Sequence, residues 1–148
     1  MIKKVLLFLL VVLVAIQFIP SSVENKPLDN NSDLLVVTNA STEVSAILKR
    51  SCYDCHSSMS KDYWYKGIAP FSWWIAHHIE EGREELNFSE WTSYPKEKQI
   101  HKLEEIIEEI EEGEMPLSSY TLMHKGTEVT AEELALLKAW IAPMIEKH

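Results

Sequence analysis

Beyond Ser41, the apolar residues recur at spacings of three and four, and no window alternates apolar and polar long enough to make a strand. That pattern predicts an all-α fold. Val44, Ile47 and Leu48 form one face of a short helix running into Cys52, with Ser41 or Thr42 available as its cap. A second helix is expected from Ala69 to about Leu86, with Pro70 in its first turn. Ile100, Leu103, Ile106, Ile107 and Ile110 make the stripe of a third, stopped by Gly113 and Pro116. Thr130 and Glu133 form a capping box before a fourth, whose buried face is Leu134, Leu137, Trp140, Ile141 and Met144; Pro143 is expected to bend or end it. Four short helices joined by long irregular connections bury little core for residues 41–148, so an apolar group inside the fold would complete it. Trp64, Trp73, Trp74, Trp91 and Trp140 are expected in the core or around such a group.

Residues Val5–Ile19 are apolar except for Gln17, and Lys3 and Lys4 precede them. The segment reads as an export signal or a membrane anchor. As a helix its fifteen residues span about 22 Å, short of the roughly 30 Å hydrocarbon core unless its ends extend it. It ends in Gln17-Phe18-Ile19-Pro20 rather than in small residues, which favours an uncleaved anchor over residues 1–20. Lysines kept inside would set the rest of the chain facing the periplasm or cell exterior. Residues 21–40, rich in Asn, Ser, Asp and Glu, read as a flexible tether, within which Leu34–Val37 is a small strand or packing tail.

Charge removes some functions. Fourteen Lys and Arg against twenty-three Asp and Glu give a net charge of -9, so a phosphate backbone would be repelled and nucleic acid is a poor partner. No Gly-rich phosphate loop and no Gly-x-Ser-x-Gly elbow occurs. The remaining chemistry lies in Cys52-Tyr53-Asp54-Cys55-His56, which contains both cysteines of the chain. Two thiols one helical turn apart can each add to a vinyl group of a haem, and the adjoining His56 can then bind the iron axially. The rival readings are weaker. A thioredoxin-type pair wants a βαβ setting, a zinc site wants a second ligand pair, and a disulfide at this spacing is strained. Export agrees with haem, since haem is attached to c-type cytochromes outside the cytoplasm.

The chain resembles a small bacterial haem-binding domain family with one Cys-x-x-Cys-His motif. The resemblance rests on Ile47-Leu48-Lys49-Arg50-Ser51 and the motif that follows, then on Trp64-Tyr65 and Ile68-Ala69-Pro70. It continues through Glu81-Gly82-Arg83, Leu86-Asn87-Phe88-Ser89-Glu90-Trp91, Gly113-Glu114-Met115-Pro116, and Tyr120-Thr121-Leu122 before His124. It covers about residues 35 to 145, and departs at Tyr63, where the family often has Pro. It implies a c-type haem-binding domain over 41–148, a cytochrome c-like bundle around one covalent haem c held by Cys52, Cys55 and His56.

Candidates for the second axial position are Met59, Met115, Met123, Met144, His77, His78, His101 and His124. Met115 is preferred: it follows a helix stop and precedes Pro116, so a stiff loop could present its thioether, and small His/Met cytochromes have a similar Met-Pro step. His77 and His78 lie about 100 degrees apart on a helix, so at most one would face the haem. The Pro70 carbonyl is a candidate acceptor for the Nδ1 proton of His56, as a similarly placed Pro is in small cytochromes.

Thirteen of the acids fall between Glu80 and Glu114, against Arg83, Lys96, Lys98 and Lys102. They read as a solvated face or as a docking surface for a basic redox partner. The function expected is one-electron transfer. A haem-based sensor or peroxidase-like enzyme with a displaceable sixth ligand is the alternative.

Overall fold

A computed structural model describes residues 1–21, 23–27 and 29–146, and among them every regular element is helical. The order is α1 (Ile2–Ile16), α2 (Leu34–Val37), α3 (Thr42–Ser51), α4 (Tyr53–His56), α5 (Phe71–Glu85), α6 (Lys96–Glu112), α7 (Ser118–Met123) and α8 (Ala131–Glu146). Two 3-10 turns, Trp64–Gly67 and Phe88–Ser93, flank α5. The all-α expectation holds, with more and shorter elements than the four expected.

The expected membrane helix is corrected. α1 has 15 residues, about 22 Å at 1.5 Å per residue against a core of roughly 30 Å. No described helix is long and apolar enough to cross a membrane. The anchor over 1–20 therefore loses its support, and so does the placement facing the periplasm or cell exterior that was deduced from it. Where α1 ends, Gln17 meets the domain. Its Nε2 donates to the Ala69 carbonyl at 3.0 Å and its Oε1 accepts from the Ala69 N–H at 3.0 Å, so the chain docks on the domain there.

The described part of 21–40 also packs on the domain instead of hanging free. The Lys26 N–H donates to the Ser58 carbonyl at 2.9 Å, and Arg83 Nη1 donates to the Glu24 carbonyl at 2.7 Å. The run Leu34–Val37 is a helical turn, capped by the Asp33 carboxylate accepting from Leu35 N–H at 3.0 Å. Leu34 is fully buried.

Local signals set the longer helices. Ser41 Oγ accepts from the Val44 N–H at 3.3 Å and starts α3. Gly113, at φ 77, adopts the left-handed conformation that ends α6. Thr130 and Glu133 make the reciprocal capping bonds of α8, at 3.0 and 3.2 Å. Pro143 does not end α8, which continues to Glu146. Both Pro143 and Ala139, whose carbonyl loses its helical donor, are exposed, so water can replace the missing bond.

One core joins α2, α3, α6, α8 and the turn at Phe88: Leu34, Leu48, Phe88, Leu137 and Ile141 are fully buried, each worth about 1.5–3 kcal/mol. In a second region, α4 and the Trp64–Gly67 turn pack on α5, and Tyr53 of α4 joins it to the core. That region carries the Cys-x-x-Cys-His motif.

Candidate haem site

The motif begins where α3 breaks. Cys52 has φ -126 and ψ -40, outside helical geometry, so the chain turns between α3 and α4 at the first cysteine. Both thiols are free. Cys55 lies on a cavity wall, while Cys52 packs against the core, so the helical turn expected to face both thiols the same way is interrupted. Burial pushes the Cys52 thiol up to about 12 and the Cys55 thiol up to about 11. Such thiols stay protonated, unlike the low-pKa nucleophile of a thioredoxin-type pair.

His56 closes α4. Its Nδ1 lies 2.9 Å from the Gly82 carbonyl oxygen and 3.1 Å from that of Leu86. Carbonyls only accept, so Nδ1 carries the proton and the lone pair sits on Nε2, which has no hydrogen bond among the described residues. Burial holds the ring below its usual pKa, against a smaller opposing effect of the two carbonyls. This is the neutral imidazole, oriented through its other nitrogen, that a metal ligand needs.

The carbonyls that hold Nδ1 differ from the Pro70 carbonyl expected. Pro70 stands at the start of α5, and its carbonyl accepts from the N–H groups of Trp73 and Trp74 at 3.1 and 3.4 Å. That oxygen is used in the first helical turn. Gly82 is a glycine inside α5, at a cost of about 1 kcal/mol against alanine, but nothing in the sequence names its carbonyl as the partner of His56.

Beside Cys55 opens an apolar cavity of about 420 Å³ between the Trp64–Gly67 turn, α5 and α7, within the range of about 300–1,000 Å³ usual for small-molecule sites. Large apolar side chains line it yet remain open to solvent: Trp64 is 80% exposed, Leu122 79% and Phe71 62%. A broad apolar group seated there would cover them. The residues present fit a haem in an oriented imidazole with a free Nε2 and in an apolar cavity with an uncovered wall that includes Cys55; Cys52 and His56 stand next to that wall in sequence but do not line it.

Comparison with known families matches residues 11–143 to one described as a haem-binding domain. The chain belongs to the haem-binding domain family. No curated protein and no solved structure gives a match.

In this haem-binding domain the candidates for a second axial ligand separate. His78, Met123 and His124 line the cavity. Met115 is half-buried in the loop after α6 and is not on the wall, although Leu117, two residues later, is. His77 and His101 are exposed and face Glu81 and Glu105, and Met144 packs against the core. Only His78 of the adjacent pair lines the cavity, as their helical spacing requires. Both nitrogens of His124 are engaged: Nδ1 faces the Tyr120 carbonyl at 3.0 Å and Nε2 the Tyr65 hydroxyl.

Sequence reading missed the role of Asp54, inside the motif. Its buried carboxylate accepts from Tyr63 Oη at 2.6 Å and from Tyr120 Oη at 2.7 Å. One side chain thereby ties α4 to the Trp64–Gly67 turn and to α7, the elements that wall the cavity. Burial, and after it the Asp54 carboxylate, push both phenols above their ordinary range.

Proposed function

We propose that this haem-binding domain carries one covalent haem c, joined to Cys52 and Cys55 and ligated by His56, and that it transfers single electrons. The observation that carries the reading is the His56 ring, with Nδ1–H held by Gly82 and Leu86 and Nε2 free, on the same short helix as Cys55. When bound, haem supplies a one-electron iron couple. The chain's own residues do the rest. The two carbonyls fix the tautomer of His56 and make Nε2 a stronger donor. The apolar wall excludes water, and Asp54 holds that wall together through its two tyrosines.

Met115 is proposed as the second axial ligand. The support is its stiff Met-Pro step and its closeness in sequence to Leu117, two residues on, which lines the cavity. The acids of α6 are proposed as the face that meets a basic redox partner: Glu104, Glu108, Glu109 and Glu112 are exposed. Lys102, by contrast, is already occupied by Glu105 at 2.6 Å and Glu85 at 3.5 Å.

A second reading, a sensor or peroxidase-like enzyme with a displaceable sixth ligand, is favoured by one observation. Met115 is off the cavity wall, while a Tyr65–His124 pair that could handle a proton is on it.

Attachment is tested by producing the full chain in cells with working haem-attachment machinery and staining a denaturing gel for haem. The polypeptide is expected to stain, and the Cys52→Ala/Cys55→Ala chain to be colourless. A colourless wild-type chain would overturn covalent attachment.

A further inference from the structure

We propose that Tyr65 and His124 form a redox-active phenol–imidazole pair, a site at which an outer-sphere one-electron oxidant removes an electron from the domain. The Tyr65 hydroxyl meets Nε2 of His124, and the Tyr120 carbonyl at Nδ1 makes Nε2 the acceptor in the neutral ring. The imidazole is held in place by the rings of Tyr63 and Tyr120, at 4.4 and 4.3 Å.

The step balances simply. The oxidant gains one electron, the Tyr65 O–H bond breaks, and its proton passes along the existing hydrogen bond to Nε2. A neutral phenoxyl and an imidazolium remain, and return of an electron sends the proton back.

The hydrogen bond matters because a phenol that loses an electron becomes a strong acid, and a base already in contact spares it a search for solvent. Other phenols have poorer partners. Tyr63 and Tyr120 donate to Asp54 and Tyr53 donates to Asp33, carboxylates about 2.5 pK units less basic than imidazole. The Tyr94 hydroxyl accepts the Asn87 N–H at 2.8 Å. Access from outside is also present: Trp64, 80% exposed, stands edge-on to Tyr65 with ring centres 5.6 Å apart. The pair stands on this geometry; both residues line the cavity proposed for haem, and the inference rests on the reading that His56 and Met115, not His124, hold the iron.

The test uses the full chain as purified, in its oxidised state, with photogenerated tris(bipyridine)ruthenium(III) as oxidant. Transient absorption and electron paramagnetic resonance read the radical, and ring-deuterated tyrosine separates phenoxyl from indole signals. Tyr65→Phe is expected to cut the phenoxyl yield about tenfold, and His124→Phe to slow its formation about tenfold, the loss of one hydrogen-bonded acceptor worth about 1.4 kcal/mol. Tyr94→Phe should leave both unchanged. No phenoxyl in the wild type, a wild-type yield in Tyr65→Phe, or an unchanged rate in His124→Phe would each overturn the proposal. Circular dichroism of each variant checks that the fold is retained.

Discussion

A Cβ placed on Gly82 would come within 3.2 Å of the Cys55 carbonyl oxygen and 3.3 Å of the Cys55 Cβ. The absence of a side chain at Gly82 is what lets α5 press against α4, and the same approach brings the Gly82 carbonyl to His56. Gly82→Ala sets two effects in opposition. Alanine gains about 1 kcal/mol of helix propensity, while overpacking against a backbone that cannot rotate away costs about 1–3 kcal/mol. A net loss of about 1 kcal/mol is expected. Thermal unfolding should show it as a lower Tm, and a Tm at or above the wild type would mean that α4 and α5 separate at little cost.

Asp54 should be worth more than either of its tyrosines. Tyr63→Phe and Tyr120→Phe are each expected to cost about 1.5–2 kcal/mol, the lower end for a bond to a charged acceptor. Asp54→Ala should cost about 2–4 kcal/mol, because it leaves the Tyr63 phenol unpaired and the Tyr120 phenol with only its longer bond to the Arg50 carbonyl at 3.3 Å. Denaturant melts of the three variants and their doubles form the check. A coupling energy near zero between Asp54 and Tyr120 would remove the carboxylate from its role in holding α7.

Acid should weaken the junction of α3 and α8 in a defined direction. Hydrogen bonding to the Arg50 guanidinium, 2.8 Å away, holds Glu133 below its ordinary 4.5. A carboxylate with a depressed folded pKa contributes stability that is fully present above the unfolded value and fades as pH falls through the folded one. The stability difference between wild type and Glu133→Gln should therefore be constant above about pH 5 and shrink on further acidification. A difference that stays level down to the folded pKa, or widens in acid, would contradict this.

Met115→Ala distinguishes the two functional readings. If Met115 completes the axial pair, the alanine variant loses the weak long-wavelength absorption of an iron–methionine bond and has a lower reduction potential, since a thioether favours reduced iron. It should also gain carbon monoxide binding. Met123→Ala should leave these properties unchanged. Rapid carbon monoxide binding by the wild-type protein would instead support the displaceable-ligand reading.

Much of the helical layout was legible in the sequence because its signals act over a few residues. The Ser41 cap of α3, the Gly113 stop of α6 and the Thr130–Glu133 box of α8 each join groups within one helical turn. The apolar stripes of the same helices place Leu48, Leu103, Leu137 and Ile141 in the core. The short elements were not legible. α7 is six residues long with no side-chain cap, and α4 is four, so neither carries a period to read.

The sequence by itself determined which groups the site contains: two thiols and an imidazole in one pentapeptide, and the aromatic residues that could enclose an apolar ligand. Tertiary structure alone decided how they are arranged. The partners of His56 Nδ1 lie 26 and 30 residues away, and the amide of Gln17 at the end of α1 reaches Ala69 across 52. Those partners at Gly82, Leu86 and Ala69 are backbone groups, and every residue has a carbonyl. A peptide carbonyl has no sequence signature, so only the packing of α5 on α4 selects Gly82 and Leu86, and passes over Pro70, as the groups that orient the iron-binding ring.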